Sequence, residues 1–123
     1  HDLLVTQAQE RHPFLLHGRV GAYIARKKYG VDDPDILNAI EWHTTGRPEM
    51  SLLEKIVFTA DYIEPNRNKA PNLEKLRKIS FEDLDRAVYL ILEQTLEYLQ
   101  ESPQDVDEMS EVTFRYYKDL LKL

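Results

Sequence analysis

Asp61 asks more of its surroundings than any other side chain in this sequence. Counting back from it by one, four, five and eight positions reaches Ala60, Val57, Ile56 and Leu53. A helix through this stretch therefore sets a carboxylate on its apolar face. A buried carboxylate must be salt-bridged, hydrogen-bonded, protonated or bound to a cation, because an unpaired one is costly. An ion pair or helix-end contact answers that demand as well as a metal-binding or catalytic role. His43 stands three positions after Ile40, at the expected end of a helix, and leads into Thr44, Thr45, Gly46 and Arg47. There Gly46 permits close backbone approach, the threonine hydroxyls can donate to phosphate oxygens, and Arg47 can make paired charge-assisted contacts. The same residues also make an ordinary loop, and His43 an ordinary helix-end side chain. His17 has Leu16 and Val20 as helical neighbours, with Gly18 and Gly21 leaving room beside it. It reads either as a ligand or as a satisfied core histidine. His12, before Pro13, belongs on the surface, and His1 with Asp2 puts two ligand types side by side. Three of the four histidines and one aspartate could together form the nitrogen and oxygen shell that zinc, iron or manganese takes. No His-Glu-x-x-His run is present, so the ligands must converge from separate helices.

Composition narrows the chemistry further. A chain of 123 residues with 42% hydrophobic and 31% charged residues suits one compact domain. Sixteen Lys and Arg against 22 Asp and Glu give a formal charge of -6, which argues against nucleic acid or an acidic membrane surface as a partner. An anionic ligand needs a local basic pocket or a bound metal. With no cysteine, disulfides, thiolate zinc sites, iron-sulfur clusters and thiol nucleophiles are excluded together. No apolar run approaches the ~20 residues of a membrane span and no stretch resembles a secretory leader, so the cytoplasm is the expected compartment. The chain opens at His1 rather than at a methionine, which suggests a processed or truncated product.

The elements that must position these residues are helices. No sustained alternation of apolar and polar residues and no Asn-Gly or Asp-Gly pair marks a hairpin. A first helix begins near Leu16 or His17, carries Val20, Ala22, Tyr23 and Ile24, and stops at Gly30. Asp33 caps a second, with Pro34 in its first turn, running to about Trp42 or His43. Ser51 and Glu54 form a capping box before Leu52, Leu53, Ile56, Val57, Ala60 and Ile63, and Pro65 closes that helix. Residues 65–72 read as a loop, and Leu73 to Ile79 as a short helix. Ser80 then caps a longer helix whose stripe is Leu84, Ala87, Val88, Ile91, Leu92, Thr95, Leu96 and Leu99. Ser102-Pro103 breaks the pattern ahead of a terminal amphipathic helix bearing Met109, Val112, Thr113, Tyr116, Tyr117 and Leu120.

Leu15-Leu16-His17-Gly18 with Val20-Gly21-Ala22-Tyr23, the segment Ile40 to Gly46, and Ser51-Leu52-Leu53-Glu54-Lys55-Ile56 running into Ala60-Asp61-Tyr62-Ile63-Glu64-Pro65 and Arg67 occur in one order. In this the chain resembles the HD-domain metal phosphohydrolases, and among them the YqeK-type bacterial enzymes. The resemblance covers roughly Leu15 to Leu99. It implies an all-α, HD-domain helical bundle: a single HD domain over residues 1–123 whose N-terminal helix or helices, carrying another ligand histidine, precede His1. It further implies His1, Asp2, His17, His43 and Asp61 as metal ligands, with Asp2 bridging two ions and Asp2, His17 and His43 at the reacting centre. Similar proteins hydrolyse diadenosine tetraphosphate symmetrically to two ADP and typically hold two iron ions; manganese or zinc would suit the same ligands. A metal lowers the pKa of bound water from 15.7 to about 7, so hydroxide can attack phosphorus at neutral pH. Arg47 and Arg67 are the candidate phosphate contacts, with Thr44, Thr45 and Gly46 shaping the facing loop and Lys69 as a lesser third. For both arginines, a solvated surface charge is the competing reading.

The implied partner is a small-molecule nucleotide, and a homodimer is compatible with the chain. Three other readings stand against this one. An HD phosphohydrolase acting on another nucleotide would differ in its products. A non-catalytic nucleotide-binding HD scaffold would bind without turnover. A plain helical interaction module, with Asp61 salt-bridged, would keep its metal content when Asp61 is replaced by Asn.

Overall fold

The computed structural model describes residues 17–68, 70–99 and 106–123. All regular structure among them is helical: α1 His17–Tyr29, α2 Pro34–Glu41, α3 Leu52–Ile63, α4 Leu73–Ser80, α5 Leu84–Tyr98 and α6 Glu108–Leu120. The sequence positions named at His1, Asp2, His12, Lys69 and Ser102-Pro103 lie outside the described residues. No described helix is long and apolar enough to cross a membrane.

Local chemistry sets most of the boundaries. Gly30 ends α1 in the left-handed region, at φ +71°. Asp33 caps α2 by accepting the Asp35 N–H at 2.9 Å, with Pro34 in the first turn. That helix closes earlier than its apolar pattern suggests, so His43 falls in the turn just beyond Glu41. At α3 both halves of the capping box form between Ser51 and Glu54. Pro65 drives Glu64 into extended backbone and ends the helix. Ser80 is not the cap of α5, contrary to the sequence expectation. Its hydroxyl donates back to the Arg77 carbonyl at 2.8 Å inside α4, while a turn intervenes and Asp83 caps α5 by accepting the Arg86 N–H at 3.2 Å.

Helix α5 is the spine of the packing, touching α3, α4 and α6; α1 packs on α2, and α2 on α3. Its expected stripe is the one buried: Ala87, Val88, Ile91 and Leu92 are all at most 2% exposed. Burying each of the larger of these contributes about 1.5–3 kcal/mol. Phe58, Leu76, Met50 and Tyr117 close over them from α3, α4, the loop before α3, and α6. The docking partners of the terminal helix are thus α5 and the segment following α2. Tyr89 stacks on Phe114 with ring centroids 5.3 Å apart, and the Tyr117 hydroxyl accepts the Met50 N–H at 3.2 Å. Burial pushes the Tyr117 hydroxyl up to about 12.

The face of α3 differs from the expectation. Its core side is Glu54, Phe58 and Thr59, while Leu52 and Ile56 are 66% and 46% exposed and Asp61 is exposed too. The buried and apolar stripes are offset because Glu54 turns inward to meet a cation. The desolvation cost that singled out Asp61 therefore does not arise.

Candidate metal centre

His17 opens α1 and His43 follows α2, 26 residues apart in sequence, yet their Nε2 atoms lie 2.8 Å from each other. Their rings meet edge to face, with centroids 4.6 Å apart and planes at 71°. The His43 Nδ1 lies 2.6 Å from the carbonyl oxygen of Ile40. A carbonyl only accepts, so Nδ1 carries the proton and the Nε2 of neutral His43 presents a bare lone pair. His17 Nε2–H then donates to that lone pair. A backbone carbonyl fixing the tautomer in this way is the usual support of a metal-ligating histidine. Two nitrogens bound to one ion at about 2.0–2.1 Å stand about 2.9 Å apart at a right angle and about 3.4 Å apart at the tetrahedral angle. The observed 2.8 Å is the length of the hydrogen bond between the two rings, and a small separation of them would admit one ion.

Close helix contact makes the approach possible. Gly18 is buried at the start of α1, where an added Cβ would lie 2.6 Å from the Glu41 carbonyl oxygen and 3.0 Å from that of Ile40. Among the described residues no three His, Asp or Glu side chains lie close enough to hold a metal ion together. The structure thus brings His17 and His43 together and leaves Asp61 outside that pair. Asp61 sits at the C-terminal end of α3, exposed, where Arg67 donates through Nη2 to its backbone carbonyl at 3.3 Å and covers the Tyr62 ring. Arg77 holds this corner. Its Nε donates to the Ile63 carbonyl at 2.9 Å and its Nη2 to those of Glu64 and Arg67 at 2.9 and 3.0 Å.

The loop after His43 is only partly what the sequence suggests. Thr45 is buried and donates to the Gly46 carbonyl at 2.9 Å. Gly46, at φ +71°, faces the interior, where an added Cβ would sit 3.0 Å from the Thr113 methyl and 3.4 Å from Met50. Both residues pack toward the interior, where the chain turns inward to lay Met50 against the core. Arg47 is engaged within the chain. Its Nε and Nη2 donate to the two Glu54 oxygens at 2.6 and 2.9 Å, and Glu54 is 2% exposed. Burial pushes the Glu54 carboxyl up, but Arg47 and the Ser51 backbone and hydroxyl outweigh it and leave it below its ordinary value. The paired hydrogen bonds to Glu54 raise Arg47 correspondingly. Sequence reasoning recognised Glu54 as a cap but missed it as a buried ion-pair partner. The spacing of Arg47 seven positions before it gives no periodic signal across a turn.

Thr44 follows His43 in the chain, and its Oγ1 is buried and has no hydrogen-bond partner. The lone pair of His43 Nε2 suits a divalent cation, and His17 Nε2 can join it once its proton moves off that nitrogen, so the residues present fit the metal.

Comparison with known proteins agrees. The HD domain model matches residues 1–66. The symmetrical bis(5'-nucleosyl)-tetraphosphatase of Bacillus subtilis is 44% identical over 97 residues, covering 79% of this chain and 52% of that protein. The enzyme of the same name from Halalkalibacterium halodurans is 50% identical over 92 residues, covering 75% and 49%. The chain spans about half the length of the curated relatives it matches. The crystal structure of a predicted HD superfamily hydrolase involved in NAD metabolism from Clostridium acetobutylicum superposes with a TM-score of 0.89 at 39% identity, covering 97% of this chain and 62% of that one. With the HD domain model matching residues 1–66 and relatives at 44% and 50% identity, the chain belongs to the HD-domain family.

Proposed function

We propose that this protein is a metal-dependent phosphohydrolase that cleaves diadenosine tetraphosphate symmetrically, consuming one water and giving two ADP, in the cytoplasm. The observation that carries the reading is the 2.8 Å approach of His17 Nε2 to His43 Nε2, with the His43 tautomer fixed by the Ile40 carbonyl. The names of relatives at 44% and 50% identity support the substrate. His17 and His43 would hold a divalent ion, with His1, Asp2 and Asp61 completing a centre for two iron ions, or for manganese or zinc. A metal bound there supplies Lewis acidity and a nucleophile at neutral pH.

The chain's own residues bind and orient. Arg67 is exposed and loosely held at 3.3 Å, so its guanidinium can swing to a polyphosphate oxygen while Arg77 keeps the supporting turn fixed. The unpartnered Thr44 hydroxyl can donate to an oxygen beside His43. The test is product analysis of the metal-loaded protein on a nucleotide panel. ADP as sole product from diadenosine tetraphosphate supports the proposal, whereas AMP with ATP, or preference for another nucleotide, rejects it. Elemental analysis of the protein as purified, before any metal is added, decides among the three metals.

A further inference from the structure

We infer that Gly18 is a positioning residue for the metal centre: the missing side chain at this position lets α1 close onto the end of α2 and sets the His17–His43 separation. The inference rests on the metal reading above. An added Cβ at Gly18 would meet two backbone oxygens, Glu41 O at 2.6 Å and Ile40 O at 3.0 Å. Backbone atoms in a helical turn cannot move aside as a side-chain tip can, so the helices themselves would have to separate. One of these oxygens is the acceptor that fixes His43. His17 is the adjacent residue. Glycine thus sits where the acceptor of one ligand and the backbone of the other are in contact, and a shift there acts on both imidazoles.

Helix propensity argues in the opposite direction, which makes the inference testable. Alanine within a helix is favoured over glycine by about 1 kcal/mol. At Gly18, in the first turn of α1, that preference is opposed by the contact with the two carbonyls. Gly21, one turn on, is less constrained. Its added Cβ would meet only the Ile40 side chain, at 3.3 Å, and that side chain can rotate.

The experiment titrates Co2+ into the full chain and reads affinity and the visible absorption of the bound ion, for the native protein, Gly18→Ala, Gly21→Ala and His17→Ala. Disturbed support of a ligating histidine typically costs about 10–100-fold in metal affinity. Gly18→Ala is expected to lose affinity in that range and shift the absorption, with Gly21→Ala close to native. In a His17→Ala background, Gly18→Ala should cost less, since only the support of His43 is left to disturb, whereas a merely structural defect would cost the same in both backgrounds. Native affinity in Gly18→Ala, or an equal loss with and without His17, overturns the inference. If His17→Ala itself leaves cobalt binding untouched, the metal reading fails and this inference with it. Should Gly18→Ala be too unstable to fold in buffer, the same titrations are run in sucrose, which favours the folded state, and native affinity there overturns the inference.

Discussion

At the scale of single residues, the centre depends on groups that are unsatisfied or fixed in one form. His43 is held in one tautomer by a 2.6 Å bond to Ile40, so its other nitrogen is left as an acceptor facing His17 Nε2. Thr44 pays a cost in the opposite sense, since a buried hydroxyl without a partner loses about 1–3 kcal/mol of solvation. Thr44→Val removes that loss while keeping the shape. It is expected to raise the unfolding free energy by about 1 kcal/mol and to lower turnover of diadenosine tetraphosphate. Denaturant titration and product assays on one preparation check both arms. A stabilised variant with native turnover would show that the hydroxyl takes no part.

At the scale of elements, the segment joining α2 to α3 is held by the Arg47–Glu54 pair. Ser51 adds to it, accepting the Glu54 N–H at 3.2 Å, and its hydroxyl also donates to the Asp35 carboxylate. Removing Arg47 leaves a carboxylate only 2% exposed without its cation. Arg47→Ala should therefore cost about 3 kcal/mol, the low end for a broken buried pair because Arg47 is partly solvated. The pH dependence follows from the direction of the Glu54 shift. Its folded value lies below the ordinary 4.5, so the unfolded chain takes up the proton first as pH falls. The stabilisation is fully present above 4.5 and is lost as pH drops through the lower folded value. Without Arg47, burial is opposed only by the Ser51 hydrogen bonds and the folded value rises, so falling pH should cost the variant less stability through Glu54 than it costs the native protein. Urea midpoints on both sides of pH 4.5 check the sign.

At the scale of the whole molecule, stability and the candidate centre occupy different regions. The core gathers around α5, while the imidazole pair sits where α1 meets α2. Leu92 is 1% exposed, and Leu92→Ala should cost about 2–5 kcal/mol. Val112 belongs to an apolar set of the terminal helix in sequence but is 47% exposed, so Val112→Ala should change stability by less than about 0.5 kcal/mol. Thermal unfolding of the two variants tests whether α6 is docked through Thr113 and Tyr117, as their burial indicates, or through the face that carries Val112.

The helices were legible in the sequence because caps, prolines and periodic apolar residues act within a few positions of one another. Asp33-Pro34, the Ser51–Glu54 box, Pro65 and the stripe from Leu84 needed no partner from elsewhere in the chain. His17 and His43 were legible as residue types, but their meeting was not, since it depends on Gly18 fitting against carbonyls 22 and 23 positions away. The fate of Arg47, Thr45 and Gly46 was equally hidden. A cation, a hydroxyl and a glycine in a polar loop look alike whether they face an anion or the interior. Only the tertiary structure, by burying Glu54 and laying Met50 against α5 and α6, decides which charge must be neutralised and which way the loop turns.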